Sequence, residues 1–244
     1  MRNRVGALAP DSGDAFSSGG ILHGGLAGNE QLGDLHCVGG GALTQVVAHT
    51  PKCQAVIARE IFADARRKMK EIGWPVYLRP TGGDVTPQGA GALNVSTVFR
   101  VGKDEDRNLE AVYRWLCEPL ISWVESLGKQ ASYGSINQSF CDGRFNVAVD
   151  GRKLAGTAQR WRACSSRDGD WAILAHAIVL VDAAIEDGVA AVNQFYDYCG
   201  SGDRVTSESH VNFSELRGDE RGRLDLGAQE TELRDRFEAA LTLR

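Results

Sequence analysis

Apolar and polar positions alternate along the chain in two periods, and the change from one to the other marks out its helices and strands. From Arg59 to Ile72 the apolar residues Ile61, Phe62, Ala65, Met69 and Ile72 recur every three or four positions, with Arg66, Arg67, Lys68 and Lys70 on the other side. That spacing predicts a surface helix, stopped by Gly73 and Pro75. Upstream, Ala42 to Ala48 and Ala55 to Ala58 hold β-branched runs separated by Thr50-Pro51, a pattern of paired strands. Val76 to Arg79 reads as a short strand and Ala92 to Val101 as a longer one, joined by a Gly/Pro-rich loop. Leu109, Val112, Tyr113, Leu116, Leu120, Trp123, Val124 and Leu127 predict a helix, or a kinked pair of helices around Pro119. Phe145 to Val149 alternates, Asp150-Gly151 is a favoured type I′ turn, and a return strand begins at Lys153. A largely buried strand is expected from Trp171 to Val181, followed by helices at Ala183 to Tyr198 and Gln229 to Leu241, the last with Leu233, Phe237, Ala240 and Leu241 on one face. Strands dominate the middle and one connection is a tight hairpin. The sheet is therefore expected to be mixed or antiparallel, with helices flanking it.

Composition narrows the function classes. The 244 residues carry a net charge of −5, with 43% apolar and 24% charged positions, as in ordinary globular chains. This excludes a chain-wide polybasic surface for nucleic acid or membrane. The longest apolar stretch, Ala172 to Val181, is far short of the roughly 20 residues of a membrane helix and contains His176. The first residues lack the apolar segment of a secretory leader, which points to the cytoplasm. Residues 1–29 are rich in Gly and Ser and are expected to form a flexible arm; 30–244 reads as a single domain with the terminal helix packed on it. The six cysteines include no CxxC pair and no histidine at ligand spacing, so they read as thiols and no metal site is expected. Neither a P-loop nor a GxGxxG opening a helix is present, so the common nucleotide folds do not fit.

Two segments carry more specific chemistry. The loop from Arg79 to Ser96 combines an arginine with bare glycines, which let backbone amides approach a carboxylate or carbonyl closely. By itself it could equally be an irregular connection. In the second segment Lys153 follows the hairpin turn and precedes Ala155-Gly156, small residues that leave room for an ammonium facing a developing oxyanion. Alone, such a lysine is usually a solvated one.

Together the two segments resemble the lipoate–protein ligase and octanoyltransferase branch of the biotin/lipoate protein ligase superfamily. The first is similar to the family's acyl-binding loop, in Arg79, Thr81, Gly82, Gly83, Leu93, Asn94 and Ser96; the second is similar to its lysine motif, in Gly151-Arg152-Lys153-Leu154-Ala155-Gly156-Thr157-Ala158-Gln159. The resemblance extends from about Ala42 to Asp182 and thins towards Leu216. It implies an α/β catalytic domain with a mixed, largely antiparallel sheet flanked by helices. It further implies Lys153 as electrostatic catalyst, and an acyl site shaped by Arg79, Thr81, Gly82, Gly83, Asn94, Gly156 and His176. Pro80 and Asp84 depart from the family's loop. Where ATP-dependent members carry Gly-Arg-Asn-Asp, this chain reads Gly143-Arg144-Phe145-Asn146, without the aspartate that helps hold magnesium. Cys141, just ahead, resembles the acyl-carrying cysteine of transferring members.

The resemblance thus implies a protein lipoylation enzyme with two routes open. Free lipoate is a poor electrophile and needs ATP and Mg²⁺ to become an acyl-adenylate. A donor already acylated, such as an acyl carrier protein, needs neither: Cys141 would take the octanoyl or lipoyl group as a thioester, with cations at Lys153 and Arg144 favouring its thiolate. Acceptors implied on either route are the lysines of lipoyl domains of 2-oxoacid dehydrogenases or of the glycine-cleavage H protein. A third alternative is a non-catalytic member that binds acyl groups or proteins.

Overall fold

The computed structural model describes residues 34–39, 45–49, 59–79, 83–102, 108–164, 170–219 and 224–242. The expected arm at 1–29 and the run at Ala55 to Ala58 lie outside them. Nine strands and five α-helices are formed among the described residues. In chain order these are β1 (Asp34–Gly39), β2 (Gln45–His49), α1 (Arg59–Glu71), β3 (Val76–Arg79), β4 (Thr86–Gln88), β5 (Ala92–Val101), α2 (Leu109–Glu125), β6 (Ala131–Gly134), β7 (Asn146–Val149), β8 (Arg152–Ala163), β9 (Trp171–Leu180), α3 (Ile185–Tyr198), α4 (Phe213–Arg217) and α5 (Leu226–Thr242). A 3-10 turn, Ser207–Ser209, precedes α4.

Six strands build the main sheet in the order β1-β5-β9-β8-β7-β6, every neighbouring pair antiparallel. The parallel pairing that makes the fold mixed is confined to a small sheet, β3-β2-β4, where β2 runs parallel to β3. The β7–β8 turn has positive φ at both Asp150 (49°) and Gly151 (74°), as a type I′ turn requires.

Alternation on the strands sends one set of side chains into a core under helices. Leu93 and Val95 of β5 and Ile173, Ala175, Ala177 and Val179 of β9 pack with Val112, Leu116, Leu120 and Trp123 of α2 and Leu233 and Phe237 of α5. Pro119 does not split α2: the helix runs unbroken from Leu109 to Glu125 with Pro119 buried inside it. Trp123 stacks on Phe213 of α4, their ring centroids 3.4 Å apart. A second cluster joins Phe62, Ala65 and Met69 of α1 to Val192 and Phe195 of α3 and to Phe140. No helix among the described residues is long and apolar enough to cross a membrane.

Gly91, at the start of β5, fixes how that strand meets the end of β9. Its carbonyl accepts from the Val181 and Asp182 amides at 2.9 and 2.8 Å, its φ is +82°, and a Cβ there would sit 2.1 Å from the Asp182 carbonyl oxygen. Gly91→Ala is expected to cost about 3 kcal/mol through strained φ and backbone collision. A thermal melt should show a drop of roughly 10 °C. An unchanged melting temperature would show that the junction can open.

Candidate active site

Lys153 is the second residue of β8, and strict alternation would put it on the core face with Ala155. A register shift between Val147 and Ala148 pairs Val147 with Ala155 and Ala148 with Lys153, leaving Leu154 as the extra residue. Leu154 and Ala155 both enter the core. The bulge thereby returns Lys153 to the opposite face, where its Cε and Nζ lie 3.0 Å from the position that a Gly156 Cβ would occupy. The side chain is 3% exposed, so its ammonium needs compensating partners. Nζ donates to the carbonyl oxygens of Phe140 and, at 3.0 Å, of Cys141. Lys153 is thus not the solvated surface lysine that such a residue alone would suggest but a buried cation bound by one turn. Gly156→Ala is expected to push the ammonium off its two carbonyls and lower any Lys153-dependent turnover at least tenfold, with the fold retained. Steady-state kinetics beside a thermal melt checks this; full turnover would show that the lysine does not need the vacant space.

The turn that holds the ammonium also carries the thiol. Cys141 is half-buried with φ +47°, a left-handed conformation unusual for a residue with a side chain. Its sulfur accepts from the Asp84 amide at 2.8 Å. Gly83 precedes that amide with φ +112°, open essentially to glycine alone. Loop and turn, 57 positions apart, therefore meet at the sulfur. The Asp142 side chain clamps the far side of the turn. It accepts from the Ser135 hydroxyl, the Ile136 amide (2.7 Å), the Gly143 amide (2.8 Å) and the Asn146 side-chain amide (2.8 Å). Desolvation raises this carboxyl, but the four hydrogen bonds outweigh it and hold Asp142 below the usual carboxylate range.

These bonds bear on magnesium. A magnesium ion wants carboxylate oxygens that are available to it. Both oxygens of Asp142 are engaged within the turn, and the neighbouring position is Asn146, 2% exposed, whose amide points its donor at Asp142. Asp142 and Asn146 do not fit a magnesium site. Among the described residues no three His, Cys, Asp or Glu side chains are placed to hold a metal ion.

Three of the remaining sequence candidates, Asn94, Gly156 and His176, share one face of the main sheet. Asn94, Ile178 and Gly156 lie opposite one another across β5, β9 and β8, and Ser96, His176 and Ala158 form the adjacent row. Directly opposed residues point to the same side of a sheet, so Asn94, His176 and Gly156 flank the floor beside Lys153. Asn94 also donates to the Gln88 side chain of β4 at 3.0 Å. Arg79 ends β3, with its backbone paired to His49. Thr81 and Gly82 lie outside the described residues. A cavity of about 380 Å³ lined by Trp74, Pro87, Phe140, Leu180 and Ile185 borders one side of the turn, and another of about 450 Å³, lined by Tyr113, Gly143, Phe145, Asn146 and Thr157, borders the other.

His210 carried no sequence signal, yet it joins the site. It is 2% exposed; its Nε2 accepts from the Phe140 amide (2.9 Å), and its Nδ1 donates to the Thr206 carbonyl (2.8 Å). Burial pushes its pKa down to about 4, the Lys153 charge acting in the same direction and the Thr206 carbonyl opposing them. His210 is neutral at pH 7. By contrast Cys117, in the core, is pushed up to about 12 by burial first and Glu118 second, so it is an inert thiol.

An antiparallel sheet with helices over one face, and on the other a buried lysine held by a turn that meets Asp84, has the fold of the lipoate-ligase catalytic-domain class. Lipoate-protein ligase A with bound ATP shares the fold, with a TM-score of 0.60 at 19% identity over 82% of this chain and 69% of that one. Residues 60–215, more than half of the chain, match the lipoyl protein ligase A/B catalytic domain, and the protein belongs to that family. The octanoyl-[GcvH]:protein N-octanoyltransferase of Kyrpidia tusciae is 33% identical over 180 residues, 70% of this chain and 61% of that protein. An uncharacterized protein of Cupriavidus necator is 40% identical over 147 residues, 57% of this chain and 58% of its own length. The chain thus spans about three fifths of the length of these two relatives.

Proposed function

We propose that this protein is a lipoylation enzyme that moves an octanoyl or lipoyl group from an acylated carrier to a protein lysine through a thioester on Cys141. The observation that carries the reading is the shared turn: the Cys141 sulfur sits against the Asp84 amide while the Cys141 carbonyl is held by the Lys153 ammonium. Nucleophile and cation are thereby held at the same turn, as group transfer with oxyanion stabilisation requires. The similarity to a protein named for octanoyl transfer from acylated GcvH supports the same direction.

In the proposed sequence the Cys141 thiolate attacks the acyl carbonyl of the donor, forming a C–S bond and a tetrahedral oxyanion beside the ammonium and the Asp84 amide. Collapse expels the carrier's amine or thiol, which takes up the proton that the cysteine gave up. The acceptor's lysine, as free amine, then attacks the thioester; a C–N bond forms, the sulfur leaves, and the amine's lost proton returns to it. ATP takes no part. Acceptors are lipoyl domains of 2-oxoacid dehydrogenases or a glycine-cleavage H protein, with an acyl carrier protein as a further donor. Asn94, Gly156 and His176 shape the floor on which the acyl carbonyl rests, with Arg79, Thr81, Gly82 and Gly83 as its loop side.

Intact-protein mass spectrometry after incubation with octanoylated H protein or octanoyl carrier protein tests the proposal. A mass gain of one octanoyl group, formed without ATP and released by hydroxylamine, is expected. Acyl transfer that instead demands ATP and free lipoate, with no adduct, would overturn it in favour of the adenylating route.

A further inference from the structure

The turn from Gln138 to Cys141 contains two residues with side chains in the left-handed region, Gln138 at φ +58° and Cys141 at φ +47°. Such conformations persist only where the surroundings over-determine them. The surroundings here come from the stretch between α3 and α4. Thr206 N–H donates to the Gln138 carbonyl (3.0 Å), the Ser209 hydroxyl donates to the Asn137 carbonyl (2.8 Å), and His210 Nε2 accepts from the Phe140 amide (2.9 Å). The same stretch is anchored to the lysine strand: Val211 N–H donates to the Lys153 carbonyl (3.0 Å), and His210 bridges Lys153 in parallel. The His210 ring lies over the Phe140 ring with centroids 3.9 Å apart.

We infer that His210 is a positioning residue for the transfer chemistry, acting through the Phe140 amide to hold the turn whose carbonyls bind Lys153 and whose Cys141 presents its sulfur to Asp84. The argument rests on which atoms His210 joins. Its acceptor nitrogen is spent on the residue between Ser139 and Cys141, its donor nitrogen on Thr206 in its own stretch, and its backbone on the strand that carries Lys153. One residue, through its ring and its backbone, thus ties the nucleophile's turn to the catalytic cation's strand. Loss of the Phe140 link would loosen the turn at Phe140 and Cys141, while the bonds from Thr206 and Ser209 and the core under α2 and α5 remain. This role rests on the acyl-transfer reading for its kinetic consequence, though not for its geometry.

Two substitutions separate the two ring nitrogens. Gln at 210 can place an oxygen near the Nε2 position and keep the bond from the Phe140 amide; Asn can place its amide near Nδ1 and keep only the bond to Thr206. Acyl-transfer kinetics and the rate of iodoacetamide labelling at Cys141, mapped by peptide mass spectrometry, are measured for wild type, His210→Gln and His210→Asn. Cys117, an inert buried thiol, reports unfolding in the same digest. The expected result is that His210→Asn loses at least tenfold in kcat with donor KM within twofold. Its Cys141 labelling rate moves at least threefold, and Cys117 stays unlabelled. His210→Gln stays within about threefold of wild type in kcat and labelling. If the Asn and Gln variants match each other in kcat and in Cys141 labelling, the inference is wrong. Should the Asn variant label at Cys117, the Gln variant decides: wild-type Cys141 labelling supports the link, and a shifted rate overturns it. A wild type that transfers no acyl group, with the labelling contrast intact, removes the transferase reading and leaves the positioning role standing.

Discussion

Cys141→Ala is expected to lose the acyl adduct entirely and to reduce transfer from an acylated carrier by at least about 10³-fold, roughly 4 kcal/mol of transition-state stabilisation. The size of the effect follows from the route, since without the sulfur the donor's acyl group has no covalent station and the acceptor amine must attack the donor directly. The substitution is mild for the fold. Cys141 is half-buried and its sulfur accepts a hydrogen bond from the Asp84 amide, so the stability cost should stay near 1 kcal/mol. An adenylating ligase would behave in the opposite way. It would tolerate the alanine and catalyse ATP–pyrophosphate exchange dependent on free lipoate. Exchange together with a fully active Cys141→Ala variant would falsify the thioester route.

Lys153→Met should be the second large loss, about 150-fold or more in transfer, corresponding to about 3 kcal/mol if the ammonium acts as an oxyanion donor. The structure adds a cost that a surface lysine would not carry. The buried carbonyl of Phe140 and the part-buried carbonyl of Cys141 would lose a charged donor, and an unsatisfied buried group costs about 1–3 kcal/mol. Lower thermal stability is therefore expected alongside the kinetic loss, and the kinetics must be read at a temperature where the variant is folded. Lys153→Arg separates the two effects: it keeps the charge, but its larger planar head has to fit beside Gly156, where the ammonium already leaves only 3.0 Å to a notional Cβ. Its thermal stability should exceed that of the Met variant while transfer stays low. A folded Met variant with near-normal transfer would remove Lys153 from the chemistry.

Much of the architecture was legible because local periodicity is set by solvent on one side and core on the other. The strand at Ala92 to Val101, the long helix over Leu109 to Glu125, the Asp150-Gly151 hairpin and the terminal helix with Leu233 and Phe237 inward are all written in apolar spacing or turn chemistry. Pro119 left a kinked pair open from the sequence, and the unbroken run of α2 from Leu109 to Glu125 closes that alternative in favour of one helix. Short segments were less legible. β4 is three residues inside what reads as a loop, and β6 is four residues of Ala-Ser-Tyr-Gly, too short for a period to show.

The candidate site divides along the same physical line. Residue order alone determined the lysine after a tight hairpin, the small residues beside it, the glycine-rich loop and the cysteine ahead of Asn146, because each depends on neighbours within a few positions. The tertiary structure supplied the contacts that no local pattern encodes. The bulge at Leu154 turns Lys153 to the face of Gly156 and buries its charge. The meeting of Cys141 with Asp84 spans 57 positions, and that of Phe140 with His210 spans 70. Asn146, conspicuous in the sequence only for the carboxylate it lacks, proves to hold Asp142 and the turn. Hydrogen bonds between distant segments depend on where the folded sheet brings backbone amides and carbonyls together; a backbone group is the same at every residue, so the sequence does not mark which of them will meet.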